Sequence, residues 1–445
     1  MLKTFRIGGI HPPENKRTAR QPIEQAPLPK QAVIMLSQHI GTPAQPVVKK
    51  GDRVKVGTLI AQASGFVSAH IHSSVSGVVS KIENTADISG YTRPAIFIEV
   101  EGDEWEEGII RDNSIQDTSA LSPQEVVERI YRAGIVGLGG ATFPTQVKLS
   151  VPPGKNAELL IINGVECEPY LTSDHRLMLE KGPEIISGIK LLMKALGVNR
   201  AVIGIENNKQ DAIEHLRSLT AGNPEIEVCP LRVKYPQGGE KQLIDAITRR
   251  QVASGALPIS TGAVVQNVGT AFAVYEAVLK NKPLIERVVT VTGKNLQEGK
   301  NLLVRIGTSI QDLIETAGGL PSNTGKVISG GPMMGKAVVA LHAPVTKGCS
   351  GILLMDEQEA SRKKIRNCIR CAKCVHACPM GLSPNLLMRV SELALWEKAE
   401  AEKIMDCIEC GSCSYTCPAN RPLLDYIRAG KSKVGNIIRK RTTKK

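Results

Sequence analysis

Two closely similar cysteine runs near the C-terminus, CIRCAKCVHACP (368–379) and CIECGSCSYTCP (407–418), decide how the rest of the chain is interpreted. Each run has the spacing CxxCxxCxxxCP, and together they contain eight of the eleven cysteines in the 445-residue chain. Three thiolates separated by two residues can ligate one cubane cluster, whereas the cysteine before proline typically ligates the other cluster. The two runs therefore predict two [4Fe–4S] clusters and one-electron chemistry.

The doubled run also predicts which cysteines share a cluster. We expect the ligands of the first cluster to be Cys368, Cys371, Cys374 and Cys417. We expect the ligands of the second cluster to be Cys407, Cys410, Cys413 and Cys378. The alternatives are zinc sites or disulfides, but zinc sites usually have paired CxxC knuckles or mixed Cys/His ligands.

The overall composition argues against several classes of protein. Hydrophobic residues make up 42% of the chain, and its length predicts three or four domains of roughly 100–200 residues each. Aromatic residues make up only 3%, which argues against a stacking platform for single-stranded nucleic acid. We expect no secretory signal and no membrane span, since the longest apolar candidate (263–279) is interrupted by polar residues and is interpreted as a loop with a buried helix. Clustered cysteines then indicate a reducing compartment and metal ligation.

The net charge of +13 is unevenly distributed along the chain. From 428 to 445 the sequence contains eight Lys and Arg residues and no acidic residue. One interpretation is a solvated tail without a role, and the other is attraction to an anionic lipid surface or an acidic partner. We expect no nucleic-acid partner, because no binding motif accompanies the charge.

Sequence patterns predict a multidomain protein of mixed α/β and α+β class. Short β-prone runs separated by Gly and Pro fill the N-terminal part, and VKKGDRVKVGTLIA followed by VSGVVSKI resembles a biotinyl/lipoyl-like barrel-sandwich. No lysine lies at a hairpin tip between the two halves, so we expect a scaffold without a swinging arm. The predicted domains are the barrel-sandwich (1–115), a Rossmann-like α/β domain (116–255), a β-grasp domain (256–355), a helical two-cluster ferredoxin-like domain (356–430) and a basic tail (431–445).

The α/β assignment depends on strands that alternate with helices. Ser122 is the expected N-cap of the first helix, with Glu125 near the capping-box position. Apolar runs predict strands at 159–162, 201–205 and 226–235. This alternation implies a parallel or mixed sheet with helices packed on it.

Polar residues follow the C-terminal ends of these strands, where open α/β sheets bind ligands. They are Asn163, Glu166, Glu168, Asn207 and Glu240. The loop GIVGLGGATFP (134–144) adds Gly137, Gly139 and Gly140, whose backbone N–H groups can approach a phosphate without obstruction by a Cβ. The glycines alone could form a plain turn, because their spacing is not G-x-G-x-x-G and they precede the strand. Together with the polar strand ends, they predict a cofactor crevice.

Several motifs give the chain a resemblance to known proteins. GLGGATFP, NGVECEP, YPQGGEK and QNVGT resemble the flavoprotein that oxidises NADH in respiratory complex I. The opening FRIGGIHPPENK, the barrel and the doubled cysteine run narrow the resemblance to the RnfC family of the Rnf (Rsx) electron-transport complex, over nearly the whole chain. This resemblance implies an FMN site in the α/β domain and a β-grasp domain of the SLBB type.

The resemblance also implies specific site residues. The residues matching the FMN-binding motif positions are Gly137, Gly139, Gly140, Lys148, Asn163, Glu166, Gly238 and Asn267. The residues expected nearer the nicotinamide of NAD(H) are Glu168, Gly239 and Glu240. The sequence departs from the complex I pattern at Val165, where an acid is expected, and at Gly239, where a glutamate is expected. Glu168 and Glu240 are the candidate catalytic-site residues, with roles in binding and electrostatics because hydride transfer itself needs no protein acid.

The implied function is electron transfer between NAD(H), FMN and two [4Fe–4S] clusters in an ion-translocating ferredoxin:NAD⁺ oxidoreductase. Such a flavin converts between a two-electron hydride donor and one-electron clusters. The implied partners are the membrane subunits of an Rnf complex, including a ferredoxin-like subunit, and ferredoxin. The implied location is peripheral, on the cytoplasmic face of the bacterial cell membrane. Two alternatives remain, a cobalamin-reducing relative and a scaffold whose clusters carry electrons past an inactive flavin site.

Overall fold

The computed structural model describes residues 2–112, 114 and 120–443. Within these residues the strands are β1 (Ile23–Gln25), β2 (Gln31–Met35), β3 (Gln45–Pro46), β4 (Arg53–Val54), β5 (Leu59–Gln62), β6 (Ile71–His72), β7 (Gly77–Ala86), β8 (Thr92–Val100), β9 (Leu159–Asn163), β10 (Ala201–Glu206), β11 (Ile226–Leu231), β12 (Ala263–Asn267), β13 (Glu286–Gly293), β14 (Lys300–Arg305), β15 (Thr324–Ser329), β16 (Lys336–Ala337) and β17 (Gly351–Asp356). The α-helices are α1 (Pro123–Arg132), α2 (Thr145–Leu149), α3 (Ser173–Glu180), α4 (Gly182–Leu196), α5 (Gln210–Thr220), α6 (Glu240–Thr248), α7 (Val268–Leu279), α8 (Ile310–Thr316), α9 (Glu357–Ala360), α10 (Lys373–Ala377), α11 (Pro384–Glu392), α12 (Trp396–Ala401), α13 (Ser412–Tyr415) and α14 (Leu423–Thr443).

The N-terminal sandwich consists of two antiparallel sheets, with strand orders β2-β8-β7-β4 and β3-β5-β6. The inward-facing residues of both sheets form one apolar core, which includes Ile34, Ile60, Ile71, Ile96 and Ile98. The other face of β2 carries Val33 and Met35, which pack with Ala95 and Phe97 of β8, because successive side chains of a strand point to opposite faces.

The α/β domain is built on a parallel four-stranded sheet of order β11-β10-β9-β12. Helix α1 begins with the predicted capping box, in which Ser122 Oγ accepts from the Glu125 amide and Glu125 accepts in return from the Ser122 amide. Strand β10 is buried along its whole length, as expected for a central parallel strand covered on both faces. All four carboxyl ends of the strands therefore lie at one edge of the sheet.

The α/β domain extends beyond the predicted boundary at residue 255. Strand β12 follows that boundary and pairs in parallel with β9, from Ala263 opposite Leu159 to Asn267 opposite Asn163. Helix α7 then packs against α4, so β12 and α7 both belong to this domain. The sequence suggested a loop here because Gln266 interrupts the apolar run, yet its side chain is buried within the strand.

The second β-rich domain has a six-stranded mixed sheet of order β1-β14-β13-β17-β15-β16, against which α8 packs its apolar face. Its β1 comes from the N-terminal segment and pairs in parallel with β14. Residues 3–25 therefore lie outside the sandwich, although the sequence placed them within a single domain of residues 1–115. The reason is long-range pairing, which local strand propensity does not reveal.

The cysteine runs lie in a helical C-terminal domain formed by α10 to α14. Helix α14 continues through the predicted tail, with Val434 fully buried and Arg441 paired to Glu400 at 2.8 Å. Residues 431–443 are therefore a packed helix instead of a solvated tail, because their apolar side chains recur at helical spacing. Residues 444–445 of that predicted tail lie outside the described residues.

Across the described residues, no helix has the length and apolar character needed to cross a membrane. The four units together confirm the predicted fold class: a barrel-sandwich, a Rossmann-like α/β domain, a β-grasp domain and a helical domain carrying the cysteine runs.

Candidate cofactor sites

Three of the predicted site residues meet at the carboxyl end of the parallel sheet. Asn163 ends β9 and is the register partner of Asn267, which ends β12. The Asn163 amide donates to the Gly238 carbonyl at 2.8 Å, and its oxygen accepts from the Val165 amide at 3.2 Å. These contacts join the loop after β9 to the loop after β11, as expected for a ligand crevice at parallel strand ends.

The predicted glycine loop lies against the same asparagine pair. A Cβ added at Gly139 would lie 3.6 Å from the Asn267 side chain, and one added at Gly140 would meet nothing within 4 Å. Gly140 has φ +99°, a backbone conformation that residues with a Cβ rarely adopt. Gly139, Gly140 and Ala141 are exposed residues, and among the described residues their amides donate no backbone hydrogen bond. The loop therefore offers free N–H donors on the side of the crevice, which suits a phosphate.

Asn267 and Glu166 organise the helices behind the crevice. Asn267 caps α7 by accepting from the Gly269 amide at 2.8 Å and donates to Asp174 Oδ2 at 2.7 Å. The Glu166 carboxylate accepts from the amides of Asp174 at 2.8 Å and His175 at 3.2 Å, which places it at the N-terminus of α3. Burial, followed by the negative charge of Glu166, raises the pKa of Asp174 to about 7. Two of the residues predicted to bind FMN, Glu166 and Asn267, thus also stabilise the helices behind the crevice.

Lys148 and Glu240 form an ion pair at the mouth of the crevice. Lys148 Nζ donates to Glu240 Oε1 at 2.7 Å and to the Val265 carbonyl at 3.0 Å. Gly239 is the N-cap of α6, so Glu240 occupies its first turn. Both charged side chains are partly exposed, at 26% and 37%, and can exchange their mutual contact for contacts to a bound ligand.

Glu168 occupies an interdomain joint. Its Oε1 and Oε2 accept from the amides of Met334 at 2.8 Å and Met333 at 3.1 Å, in the loop between β15 and β16. The Tyr235 hydroxyl donates to the Cys410 carbonyl at 2.8 Å and also lies 3.3 Å from Glu168 Oε1. These contacts connect the α/β domain to the β-grasp domain and to the second cysteine run. The position of Glu168 near the nicotinamide, which the resemblance implied, stays a prediction.

Burial raises the pKa of Glu168 to about 7, although its hydrogen bonds act in the opposite direction. The folded protein therefore holds this proton more tightly than the unfolded chain, so folding stability should fall as pH rises toward 7 and above. Between pH 6 and pH 8 we expect the deprotonation of Glu168 to lower the free energy of unfolding by about 1 kcal/mol, because a difference of one pKa unit corresponds to about 1.4 kcal/mol. In Glu168→Gln the melting temperature, measured by calorimetry, should depend less on pH than in the wild type. Part of the remaining pH dependence comes from Asp174, whose pKa is also raised.

Glu214→Gln provides the control for this measurement, because Glu214 is an exposed acid on α5. Its pH dependence should match that of the wild type. An unchanged slope in Glu168→Gln would contradict the assignment of the buried proton to Glu168.

Lys16, which was not predicted as a functional residue, holds the loop after β9 in place. Its ammonium group donates to the carbonyls of Glu166 at 2.8 Å, Glu168 at 2.9 Å and Leu171 at 2.6 Å. Lys16 ends the FRIGGIHPPENK motif. Earlier in this motif, Ile10 exchanges backbone hydrogen bonds with Tyr235, and the Gly9 amide donates to the Ala377 carbonyl. The N-terminal segment therefore ties the crevice to the first cysteine run. The FRIGGIHPPENK motif singled out this segment, but the carbonyl groups that Lys16 contacts are distant in sequence.

Replacing Lys16 with methionine should destabilise the loop, because three carbonyls lose a charged donor. Hydrogen bonds to charged groups contribute about 1.5–3 kcal/mol, so we expect a loss of about 2 kcal/mol. Calorimetric melting would measure it, with Lys49→Met as the matched exposed control. Equal melting temperatures in both variants would contradict a stabilising role of the three Lys16 hydrogen bonds.

The cysteines are arranged as two crossed sets. One cavity is lined by Cys378 from the first run together with Cys407, Cys410 and Cys413 from the second. We call these four the inner set. A second cavity is lined by Cys368, Cys371 and Cys374 together with Cys417, which we call the outer set. The folding of α10 against α13 places each proline-linked cysteine opposite the other run.

The two sets differ in exposure. In the inner set Cys378, Cys410 and Cys413 are buried, and burial raises the thiol pKa of Cys413 to about 12 and of Cys407 to about 11. In the outer set Cys368 and Cys371 are exposed. Within the described residues, no three His, Cys, Asp or Glu side chains converge tightly enough for a single metal ion. Each cavity is lined by four cysteines, which is the ligand number of a [4Fe–4S] cluster.

Comparisons with known proteins agree with this architecture. Family models match at residues 3–103 (RnfC barrel sandwich hybrid domain), 130–276 (Nuo51 FMN-binding domain), 288–337 (SLBB domain) and 356–418 (4Fe-4S dicluster domain). The chain is 48% identical over 441 residues to the C subunit of the proton-translocating ferredoxin:NAD(+) oxidoreductase complex of Clostridium ljungdahlii, covering 97% of this chain and 94% of that one. The chain belongs to the RnfC family.

Two further similarities are consistent with this membership. The C subunit of the Na(+)-translocating ferredoxin:NAD(+) oxidoreductase complex of Acetobacterium woodii is 45% identical over 433 residues, covering 97% of each chain. The crystal structure of an air-oxidised NAD⁺-reducing [NiFe]-hydrogenase aligns with a TM-score of 0.50 at 17% identity, covering 70% of this chain and 66% of that one. The latter similarity concerns the fold alone.

Proposed function

We propose that the chain is the NAD(H)-reactive FMN and iron–sulfur subunit of a membrane-bound, ion-translocating ferredoxin:NAD⁺ oxidoreductase. Membership of the RnfC family and the matched FMN-binding and dicluster domains support this function. The observation that carries it is the Tyr235 hydroxyl, which contacts Glu168 beside the crevice and the Cys410 carbonyl in the inner set. The loop after β9 and the inner cysteine set are thus joined through the Tyr235 hydroxyl, which supports electron transfer between a flavin in the proposed crevice and a cluster in the inner set.

The crevice residues fit FMN by their chemistry. The exposed amides of Gly139 and Gly140 would bind the phosphate, and Lys148 would add a positive charge near it. Asn163, Gly238 and Asn267 would hold the flavin at the strand ends, with Glu166 fixing the backbone behind them. Gly239 and Glu240 at the start of α6 would lie toward the nicotinamide. Bound FMN supplies the conversion between hydride and single electrons.

The inner set would ligate one [4Fe–4S] cluster and the outer set the other, which is the crossed arrangement of two-cluster ferredoxins. The inner set lies against the α/β domain, because Gln242 Nε2 on α6 donates to the Pro379 carbonyl at 3.2 Å. The outer set lies at the surface. The protein would therefore place one cluster beside the flavin and one where a partner can reach it.

Membership of a multisubunit complex and the lack of a spanning helix among the described residues support a peripheral position on membrane subunits. We place the chain on the cytoplasmic face, where NAD(H) and ferredoxin are available. The partners in this proposal are other Rnf subunits, one of them ferredoxin-like, and ferredoxin itself.

The test of this function is NADH-dependent dye reduction by the purified full-length chain, combined with extraction of its flavin. We expect one FMN per chain and dye reduction that depends on it. A chain that carries iron and sulfide but no flavin, and that fails to reduce dye, would instead be the electron-carrying scaffold.

A further inference from the structure

A buried lysine lies where three domains meet behind the glycine loop (134–144). Lys347, in the β-grasp domain between β16 and β17, is only 1% exposed. Its Nζ donates to the carbonyl of His70 in the sandwich and to the carbonyl of Gly134 in the α/β domain, each at 2.7 Å. Since Gly134 is the first residue of the glycine loop, one ammonium group joins the start of this loop to both neighbouring domains.

The two residues after this lysine reach the rest of the glycine loop. A Cβ added at Gly348 would lie 2.7 Å from Thr142 Cγ2, near the end of the loop. The Cys349 carbonyl accepts from Arg287 Nε at 3.2 Å, and Nη2 of the same arginine donates to the Leu138 carbonyl, in the middle of the loop, at 3.2 Å. We call the three consecutive residues that support the loop, directly or through Arg287, the backing segment: Lys347, Gly348 and Cys349.

The sandwich supports the same loop through backbone groups. The Ile40 amide donates to the Thr142 carbonyl at 3.3 Å. Gln146 on α2, just after the loop, donates from Nε2 to the Ser68 carbonyl at 2.8 Å. The sandwich, which the sequence predicted to be a scaffold, therefore fixes the end of the glycine loop directly and its start through Lys347.

The ammonium group of Lys347 has no compensating charge nearby. Among the described residues, no carboxylate oxygen lies within 4.0 Å of it, and burial lowers the pKa of Lys347 to about 7. A buried charge without an opposite charge destabilises the fold, so packing alone would favour a neutral side chain here. The positive charge lies behind a loop whose exposed residues, 139–141, would meet a phosphate, and its sign favours an anion there.

We propose that Lys347 is a positioning residue for the phosphate of FMN, and that the sandwich serves the flavin site through it. The ammonium group fixes the start of the glycine loop, while the rest of the backing segment and Ile40 fix the remainder. The amides of residues 139–141 are thereby held in place before the phosphate binds. Preorganisation of this kind raises affinity, because binding does not have to order the loop. This inference rests on the proposed function, since it concerns how the chain holds FMN.

The test compares the Kd of FMN with the Kd of riboflavin, which lacks the phosphate, on the cluster-loaded full-length chain freed of its flavin. In Lys347→Met, FMN should bind about tenfold more weakly and riboflavin as in the wild type, because only the phosphate uses the loop amides. Gly348→Ala keeps the Lys347 hydrogen bonds but displaces Thr142, so it should reduce the preference for FMN to a smaller extent. Lys326→Met is the matched control and should match the wild type, because this β-grasp lysine donates to the Ala360 carbonyl at 3.5 Å instead of to the loop.

Amide hydrogen exchange gives a second measure that needs no flavin. Within the loop, the Gly137 amide donates to the Phe143 carbonyl at 2.8 Å and the Thr142 amide donates to the Gly137 carbonyl at 3.2 Å. In the flavin-free protein, both amides should exchange about tenfold faster in Lys347→Met than in the wild type, because local opening of the loop becomes easier. Lys326→Met should show wild-type exchange.

Two results would overturn the positioning role. One is equal weakening of FMN and riboflavin in Lys347→Met, which indicates a general loss of structure, and the other is an unchanged preference for FMN with unchanged exchange. If Lys347→Met loses its iron, Gly348→Ala decides, and an unchanged preference for FMN in that variant overturns the role. A wild type that binds neither flavin would remove the proposed FMN site as well, whereas tight FMN binding with an unchanged preference in the variants would remove the positioning role alone.

Discussion

Replacing Cys378 with serine is expected to remove the cluster of Cys407, Cys410 and Cys413, although Cys378 belongs to the other run in the sequence. The reason is the shared cavity of the inner set, in which Cys378 faces the second run. Anaerobically prepared wild-type protein should contain about eight iron and eight sulfide per chain, as two [4Fe–4S] clusters require. The variant should retain about half of each.

Double variants identify which cluster is lost. Adding Cys407→Ser to Cys378→Ser should remove no further iron, because both cysteines belong to the inner set. Adding Cys368→Ser instead should remove nearly all iron, because Cys368 belongs to the outer set. Cys229→Ser, which removes a buried thiol of β11, is the control and should retain full iron. The opposite pattern of the two double variants would contradict the crossed assignment.

The substitution Gly139→Val is expected to abolish FMN binding while leaving both clusters intact. Gly139 tolerates a Cβ at 3.6 Å from Asn267, so the fold should survive. The γ-methyl groups would then occupy the exposed side of the loop, where the amides of residues 139–141 would meet a phosphate. Extracted flavin should fall from one FMN per chain to less than about a tenth, since each loss of about 1.4 kcal/mol of phosphate binding weakens the affinity about tenfold.

Gly222→Val is the matched control for this measurement. Gly222 lies in an exposed turn with nothing within 4 Å of an added Cβ. This control should retain full flavin and iron. Full FMN content in Gly139→Val would place the phosphate elsewhere in the protein.

Local sequence patterns predicted the features that depend on local chemistry. The CxxCxxCxxxCP spacing, the capping box at Ser122 and Glu125 and the turn glycines each depend on residues within about one turn of each other. The strand end at Asn163 also follows from local patterning, whereas Asn267 was assigned only through the family resemblance. These features account for the loop glycines, Asn163 and the cysteines of the candidate sites.

Features that depend on distant pairings were not predictable in the same way. Strand β12 joins the sheet by pairing with β9 about a hundred residues earlier, so the boundary at 255 was misplaced. The contacts of the Glu168 carboxylate with the amides of Met333 and Met334 in another domain could likewise not be predicted from local sequence. Lys16 could not be assigned, because its three carbonyl acceptors lie about 150 residues away.

The predicted tail shows how composition can mislead. Eight basic residues without an acid suggested solvation, but the helical spacing of Val434, Ile437 and Ile438 accompanies packing of α14 on α11 and α12. Reversing charges at Lys433 and Lys440 would therefore test the predicted attraction to anionic lipid better than a truncation, which would remove the buried Val434.

Rapid mixing of NADH with the anaerobic, flavin- and cluster-loaded chain tests the central claim most directly. Absorbance at separate wavelengths reports flavin and cluster reduction, in the wild type and in a variant with Cys368, Cys371 and Cys374 replaced by serine. The account predicts that flavin bleaches first in both proteins, at nearly the same rate, and that the variant passes fewer electrons onward. Cluster reduction before any flavin change in the wild type would contradict the account.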